Sequence, residues 1–126
     1  MSETTFRLHE PFASPLRLSQ SLVQAAAMLG LVRAEVGRIL GFRCEQFTAL
    51  FEGRSVLEQG SHAYRQAELF IRLYQALYDC MAGEEAQMVH WLRRHNRGLG
   101  NAPFYLMVDE GRLAEVVDYI EGQAGA

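Results

Sequence analysis

Arg93, Arg94 and Arg97 stand together just after the pair Trp91-Leu92, as dense a run of like charge as the chain contains. A guanidinium binds carboxylates and phosphates through paired, parallel hydrogen bonds, so such a cluster fits recognition of an anionic partner. The same charges at the end of a helix are favoured by the helix dipole alone, and that bland reading stays open beside the functional one. All 12 basic residues are arginine. Exclusive use of arginine leans towards interfaces, although codon bias accounts for it equally well. Catalytic constellations are not found. His90 and His95 are five residues apart and do not share a helix face as zinc ligands four apart do. His9 and His62 stand alone, and there is no phosphate loop and no G-x-S-x-G elbow. Glu84-Glu85 suits the start of a helix better than paired acid–base work. Cys80, inside an apolar helical stripe, reads as a small hydrophobe. The chain is therefore expected not to be an enzyme and to need no cofactor or metal.

Bulk properties agree with a binding protein. The chain has 126 residues, 49% hydrophobic and 21% charged, which is an ordinary globular composition for one compact domain or two small subdomains sharing a core. A net charge of −3 does not demand nucleic acid or an anionic membrane. Cys44 and Cys80 lie far apart and form neither a metal-ligand spacing nor a disulfide framework. No basic, then apolar, leader is visible, and no apolar run approaches the ~20 residues of a membrane span. A reducing cytoplasm is the expected compartment, with no membrane partner.

The elements that must position the arginines are helices. Residues 1–13, with Pro11, read as a flexible N-terminal arm. Ser14-Pro15 is a helix start, and Leu18, Leu22, Ala25, Ala26 and Leu29 follow at helical spacing up to Gly30. Residues 31–54 read as two short helices about a turn at Gly41, with Phe47 in the buried position and Gly53 as a stop. A long helix from about 62 to 82 carries Ala63, Ala67, Phe70, Leu73, Tyr74, Leu77, Tyr78 and Met81 on one stripe and is expected to be central. The next helix starts at residues 83–85, with Ala86, Val89, His90, Trp91 and Leu92 on its apolar side. Trp91 and Leu92 are expected to hold the domain together. Asn96, Gly98, Gly100 and Asn101 then make a turn of residues that tolerate positive φ, and Pro103 opens a short helix. Asp109 is expected to cap a last helix whose apolar face is Leu113, Val116, Val117 and Ile120, ended by Gly122. The predicted fold is all-α, with six or seven helices.

The string from Trp91 to Pro103 resembles the signature of the Xre/MbcA/ParS antitoxins, in which a tryptophan–leucine pair, an asparagine–arginine turn and glycines precede a proline. Gly111, Val116-Val117 and Tyr119-Ile120 add to the likeness, as do the order and spacing of the helix-turn-helix at 31–54 and of residues 69–73. The resemblance covers about residues 20–122. It divides the chain into the arm at 1–13, an Xre-like helix-turn-helix region at 14–60 and a helical toxin-binding domain at 61–126. Against the family pattern, His95 replaces a common proline, Gly37 stands where a support helix usually has alanine, and Arg43 replaces a capping serine.

The resemblance implies an antitoxin that neutralises a RES-domain toxin, an enzyme that consumes NAD, and that represses its own operon as a homodimer within a larger toxin–antitoxin assembly. It points to Arg93, Arg94, Asn96, Arg97, Asp118 and Glu121 as toxin-binding residues. Residues 104–126 hold five acids against one arginine, a charge that would complement a basic NAD pyrophosphate site. For DNA, the recognition helix would be 43–51. Gln46 and Thr48 would read bases, and Arg33, Arg43 and Arg54 would bind phosphates. Five arginines against three glutamates over 14–54 allow only few phosphate contacts, and Glu45 puts a negative charge on the face that should meet phosphate. A stand-alone regulator without a toxin, and a helical adaptor with a vestigial helix-turn-helix, therefore remain as alternatives.

Overall fold

A computed structural model describes residues 5–124, and within them the chain is all-α. The seven helices of the described residues are α1 (Pro15–Met28), α2 (Arg33–Leu40), α3 (Cys44–Phe51), α4 (His62–Cys80), α5 (Glu85–Arg93), α6 (Pro103–Val108) and α7 (Leu113–Ala124). Their starts follow local chemistry. The Ser14 hydroxyl accepts from the Arg17 N–H at 3.1 Å ahead of Pro15, and the Ser61 hydroxyl accepts from the Tyr64 N–H at 3.1 Å. Each bond satisfies one of the orphan donors of a first helical turn. No helix of the described residues is long and apolar enough to cross a membrane.

α4 is the central element, as its stripe implies. Ala67, Phe70, Ile71, Leu73, Tyr74 and Leu77 are fully buried. Its most extensive partner is α7, which contributes Leu113, Val116, Val117 and Ile120, and α1 and α2 cover other parts of it. The buried residues form one cluster that runs from Leu18 and Leu22 of α1 to Ile120 of α7. The N-terminal helices α1–α3 and the C-terminal helices thus share a core. Bonds across the expected boundary at 60/61 reinforce it: Gln66 Nε2 donates to the Ile39 carbonyl at 3.3 Å, and Arg38 pairs with Asp109 at 2.7 Å.

Several expectations are corrected. Residues 5–13, read as part of a flexible arm, are docked on α4. The Thr5 hydroxyl donates to the Gly83 carbonyl, Leu8 and Pro11 are buried, and Arg7 pairs with Asp79 at 2.8 Å. Residues 1–4 of that arm lie outside the described residues. Asp109 does not cap α7; it ends α6, and its carboxylate is taken by Arg38. Gly122 lies inside α7 rather than ending it. Cys80 is exposed because it falls on the outer side of α4. On α5 the buried residues are Met88 and Leu92, whereas Ala86 and His90, expected on the apolar side, are exposed.

Tyr74 is the point where the N-terminal segment meets the core. Its hydroxyl donates to the Phe6 carbonyl at 2.7 Å and accepts from the Phe6 N–H at 3.2 Å. Burial pushes the phenol above its ordinary value. A raised folded-state value favours the neutral form, so its contribution is complete below about pH 10 and is lost as the pH rises further. With no lysine in the chain, tyrosine and cysteine are the side chains that titrate in that alkaline range. Tyr74→Phe is expected to lower stability near neutral pH by about 1–2 kcal/mol. It should also flatten the loss of stability above pH 10; urea unfolding at about pH 7 and about pH 10.5, on either side of the ordinary tyrosine value, checks both effects.

Candidate functional site

The turn between α5 and α6 is closed by the motif's own polar groups. The Asn96 N–H donates to the Asn101 carbonyl at 3.2 Å, which makes an isolated antiparallel bridge. The Asn96 carbonyl accepts from the Gly100 N–H at 2.8 Å, and its side-chain Oδ1 accepts from the Leu99 N–H at 3.1 Å. Asn101 Oδ1 accepts from the Ala102 N–H at 2.7 Å, and Pro103 then begins α6. Of the four residues expected to tolerate positive φ, Gly100 alone adopts it, at +85°. Gly98 is small for a steric reason instead. A Cβ there would lie 2.5 Å from the Tyr119 hydroxyl and 2.6 Å from its ring, so α7 rests a phenol directly on the turn.

This arrangement leaves an open groove of about 760 Å³ between α5, the turn and the end of α7. Trp91, Met81 and Tyr119 line it and are half-buried; Arg94 and Arg97 line it and are exposed, together with His90 and His95. Trp91, expected to hold the domain together from within, does so only in part. It packs against the core on one side and walls the groove on the other, while Leu92 is fully buried.

Residues 76–125 match the family of the antitoxin Xre/MbcA/ParS C-terminal toxin-binding domain. That part of the chain belongs to this family. No curated protein matches the chain. The match starts inside α4, later than the boundary at 61 expected from the sequence, and takes in α5, the turn, α6 and α7. An antitoxin domain of this kind binds a toxin, and the residues predicted for that contact separate into two groups.

Arg93, Asn96 and Glu121 are occupied within the molecule. Arg93 donates to the Gly30 carbonyl at 3.1 Å, and its guanidinium lies 3.8 Å from the centre of the Phe104 ring. It therefore ties the antitoxin motif to the end of α1 and to α6. Asn96 is half-buried with its side-chain oxygen committed to the turn. Glu121 makes two hydrogen bonds to Arg72 of α4, at 2.9 and 2.5 Å, and these hold its carboxyl below the usual carboxylate range. Arg94, Arg97 and Asp118 are exposed and have no ion-pair partner among the described residues.

On the N-terminal side, α2 and α3 are joined by Gly41, Phe42 and Arg43, with Gly41 at φ +76°. This spacing is consistent with the helix-turn-helix expected from the sequence. Phe47, expected to be buried, is half-buried, and its ring lies against Gly37; a Cβ at Gly37 would meet it at 2.5 Å. That contact explains why glycine replaces the usual alanine. The predicted DNA residues are not all available. Gln46 Oε1 accepts from the Arg43 N–H at 2.8 Å, Thr48 is half-buried, Arg54 pairs with Glu52 at 2.9 Å, and Arg33 lies over the Phe51 ring at 5.4 Å. Only the Arg43 side chain stands exposed without such a partner among the described residues. Glu45, Gln46 and Glu58 line a second groove, closed on its far side by residues 55–63.

Cutting Leu92 to alanine is expected to cost about 2–5 kcal/mol, as core truncations do. Trp91→Ala should cost less than the ~3–5 kcal/mol of a fully buried tryptophan, because the ring is only half-buried and walls an open groove. Urea unfolding of the two variants beside the parent measures both costs.

Proposed function

We propose that this chain is the antitoxin of a type II RES–Xre system and neutralises a RES-domain toxin that consumes NAD. The observation that carries the proposal is the toxin-binding family match over 76–125, together with the resemblance of the 91–103 string. In this reading α7 and its neighbouring acids cover the toxin's NAD site. Asp118 is the carboxylate available for that role, since Glu121 is held by Arg72 and Glu115 by Arg112 at 2.8 Å. A site that holds a pyrophosphate is basic, and an exposed acid opposite it adds favourable charge complementarity. The same resemblance supports a homodimer within a larger toxin–antitoxin assembly.

Co-expression tests the proposal. The chain should restore growth and intracellular NAD to cells making the RES-domain toxin. Asp118→Lys should weaken that protection, more strongly at low salt in vitro, where screening is weak. Full protection by Asp118→Lys would move the blocking contact off α7. No protection by the parent chain would remove the antitoxin reading.

Autoregulation through α2 and α3 is the second half of the proposal. Arg43 supplies phosphate contact and Gln46 the base contact, using the amide nitrogen left over from its capping bond. A helical adaptor with a vestigial helix-turn-helix is favoured by one observation, the acidic lining of the α3 groove by Glu45 and Glu58. Operator binding measured across salt concentrations separates the two. If DNA is bound, Arg43→Ala should weaken specific and random DNA alike and lower the salt slope by about one. Absence of binding at low salt with toxin present leaves the adaptor.

A further inference from the structure

We infer that the groove beside Trp91 seats an acidic segment of the toxin that carries an apolar anchor, a stretch in which an aromatic or aliphatic side chain is flanked by carboxylates. The inference rests on the toxin-binding reading and adds where the toxin docks and what chemistry it presents there.

Charge carries the first part. Arg7, Arg38, Arg54, Arg72 and Arg112 each pair with a carboxylate, and Arg65 and Arg93 donate to backbone carbonyls. Arg94 and Arg97 do neither among the described residues, and both line this one groove. His90 and His95 lie beside them, and among the described residues no aspartate or glutamate lines the groove. In a chain of net charge −3 this is a local concentration of unspent positive charge. It complements carboxylates.

Shape and surface carry the second part. A bare phosphate would use the arginines and leave the apolar wall of Trp91, Met81 and Tyr119 empty. An anchor side chain would bury that wall, and tryptophan, tyrosine and arginine are the side chains that dominate binding energy at interfaces. The turn that forms one edge is already fixed by the Asn96 and Asn101 bonds, so little ordering remains to be done when a partner arrives. Every residue that lines the groove falls within the matched stretch 76–125. The toxin is therefore the occupant to which the inference commits.

Trp91 is the chain's only tryptophan, which gives a direct test. The chain is labelled with 5-fluorotryptophan, so its 19F spectrum holds one resonance, and unlabelled RES-domain toxin from the same operon is added. The resonance is expected to shift on complex formation. Arg94→Glu with Arg97→Glu is expected to weaken the complex roughly tenfold or more, with an unchanged melting temperature and a smaller effect at high salt. A complex that forms with the resonance unmoved and the double variant binding as tightly as the parent overturns the inference while the antitoxin reading stands. A resonance that moves with chain concentration alone assigns the groove to a second copy and also overturns it. If no complex forms at all, the antitoxin reading falls and this inference with it.

Discussion

The packing of α7 on α4 is the constraint on which the rest of the structure depends. Leu113, Val116, Val117 and Ile120 recur at helical spacing and have to be covered, and the apolar stripe of α4 is the surface that covers them. Their burial, at about 25 cal/mol per Å² of apolar surface, outweighs anything the exposed Arg72–Glu121 pair contributes. Burying that face sets the rotation of α7 about its axis, and the two hydrogen bonds of the pair agree with it. The rotation in turn brings Tyr119 onto Gly98, and the contact gives the groove its wall on the α7 side. The candidate site is therefore a product of core packing.

Electrostatics then sorts side chains that look alike in the sequence. Arg93 and Arg94 are neighbours, yet the first is held by a carbonyl of α1 and the face of Phe104, and the second faces the groove. The difference follows from helical geometry, since adjacent residues on a helix point about 100° apart and only one of them can face α1 and α6. The same sorting occurs on α7, where Glu121 faces Arg72 of α4 and Asp118 faces solvent. On the N-terminal side it leaves Arg43 exposed and turns Gln46 towards the cap of its own helix.

Features that depend on near neighbours along the chain are legible in the amino-acid sequence. Ser14-Pro15, Gly41 and Pro103 mark helix ends through bonds and torsions local to a single turn, and they stand where expected. The stripe of α4 identifies the central helix for the same reason. Features made by distant partners are not legible in this way. Asp109 reads as a cap until Arg38 is seen beside it, and Glu121 reads as a free acid until Arg72 is. Gly98 reads as a turn glycine because nothing in its vicinity in the chain announces Tyr119. Residues 5–13 look loose because they contain no periodic apolar face. What holds them is single contacts with distant partners, among them the backbone bonds of Phe6 to the Tyr74 hydroxyl, the Arg7–Asp79 pair and the burial of Leu8, to which hydrophobic periodicity is blind. The pairing of Gly37 with Phe47 is an intermediate case, since a glycine inside a helix signals a close approach without naming the partner.

The contact of Tyr119 with Gly98 is where core, motif turn and groove meet, and it can be observed directly in the isolated chain in solution. The measurement is the nuclear Overhauser effect between the Gly98 α-protons and the Tyr119 ring protons. A strong cross-peak is expected, together with upfield shifts of the Gly98 α-protons from the ring current. Absence of the cross-peak, with Gly98 shifts typical of an open loop, would mean that α7 does not close the turn and that the groove beside Trp91 is not a formed site.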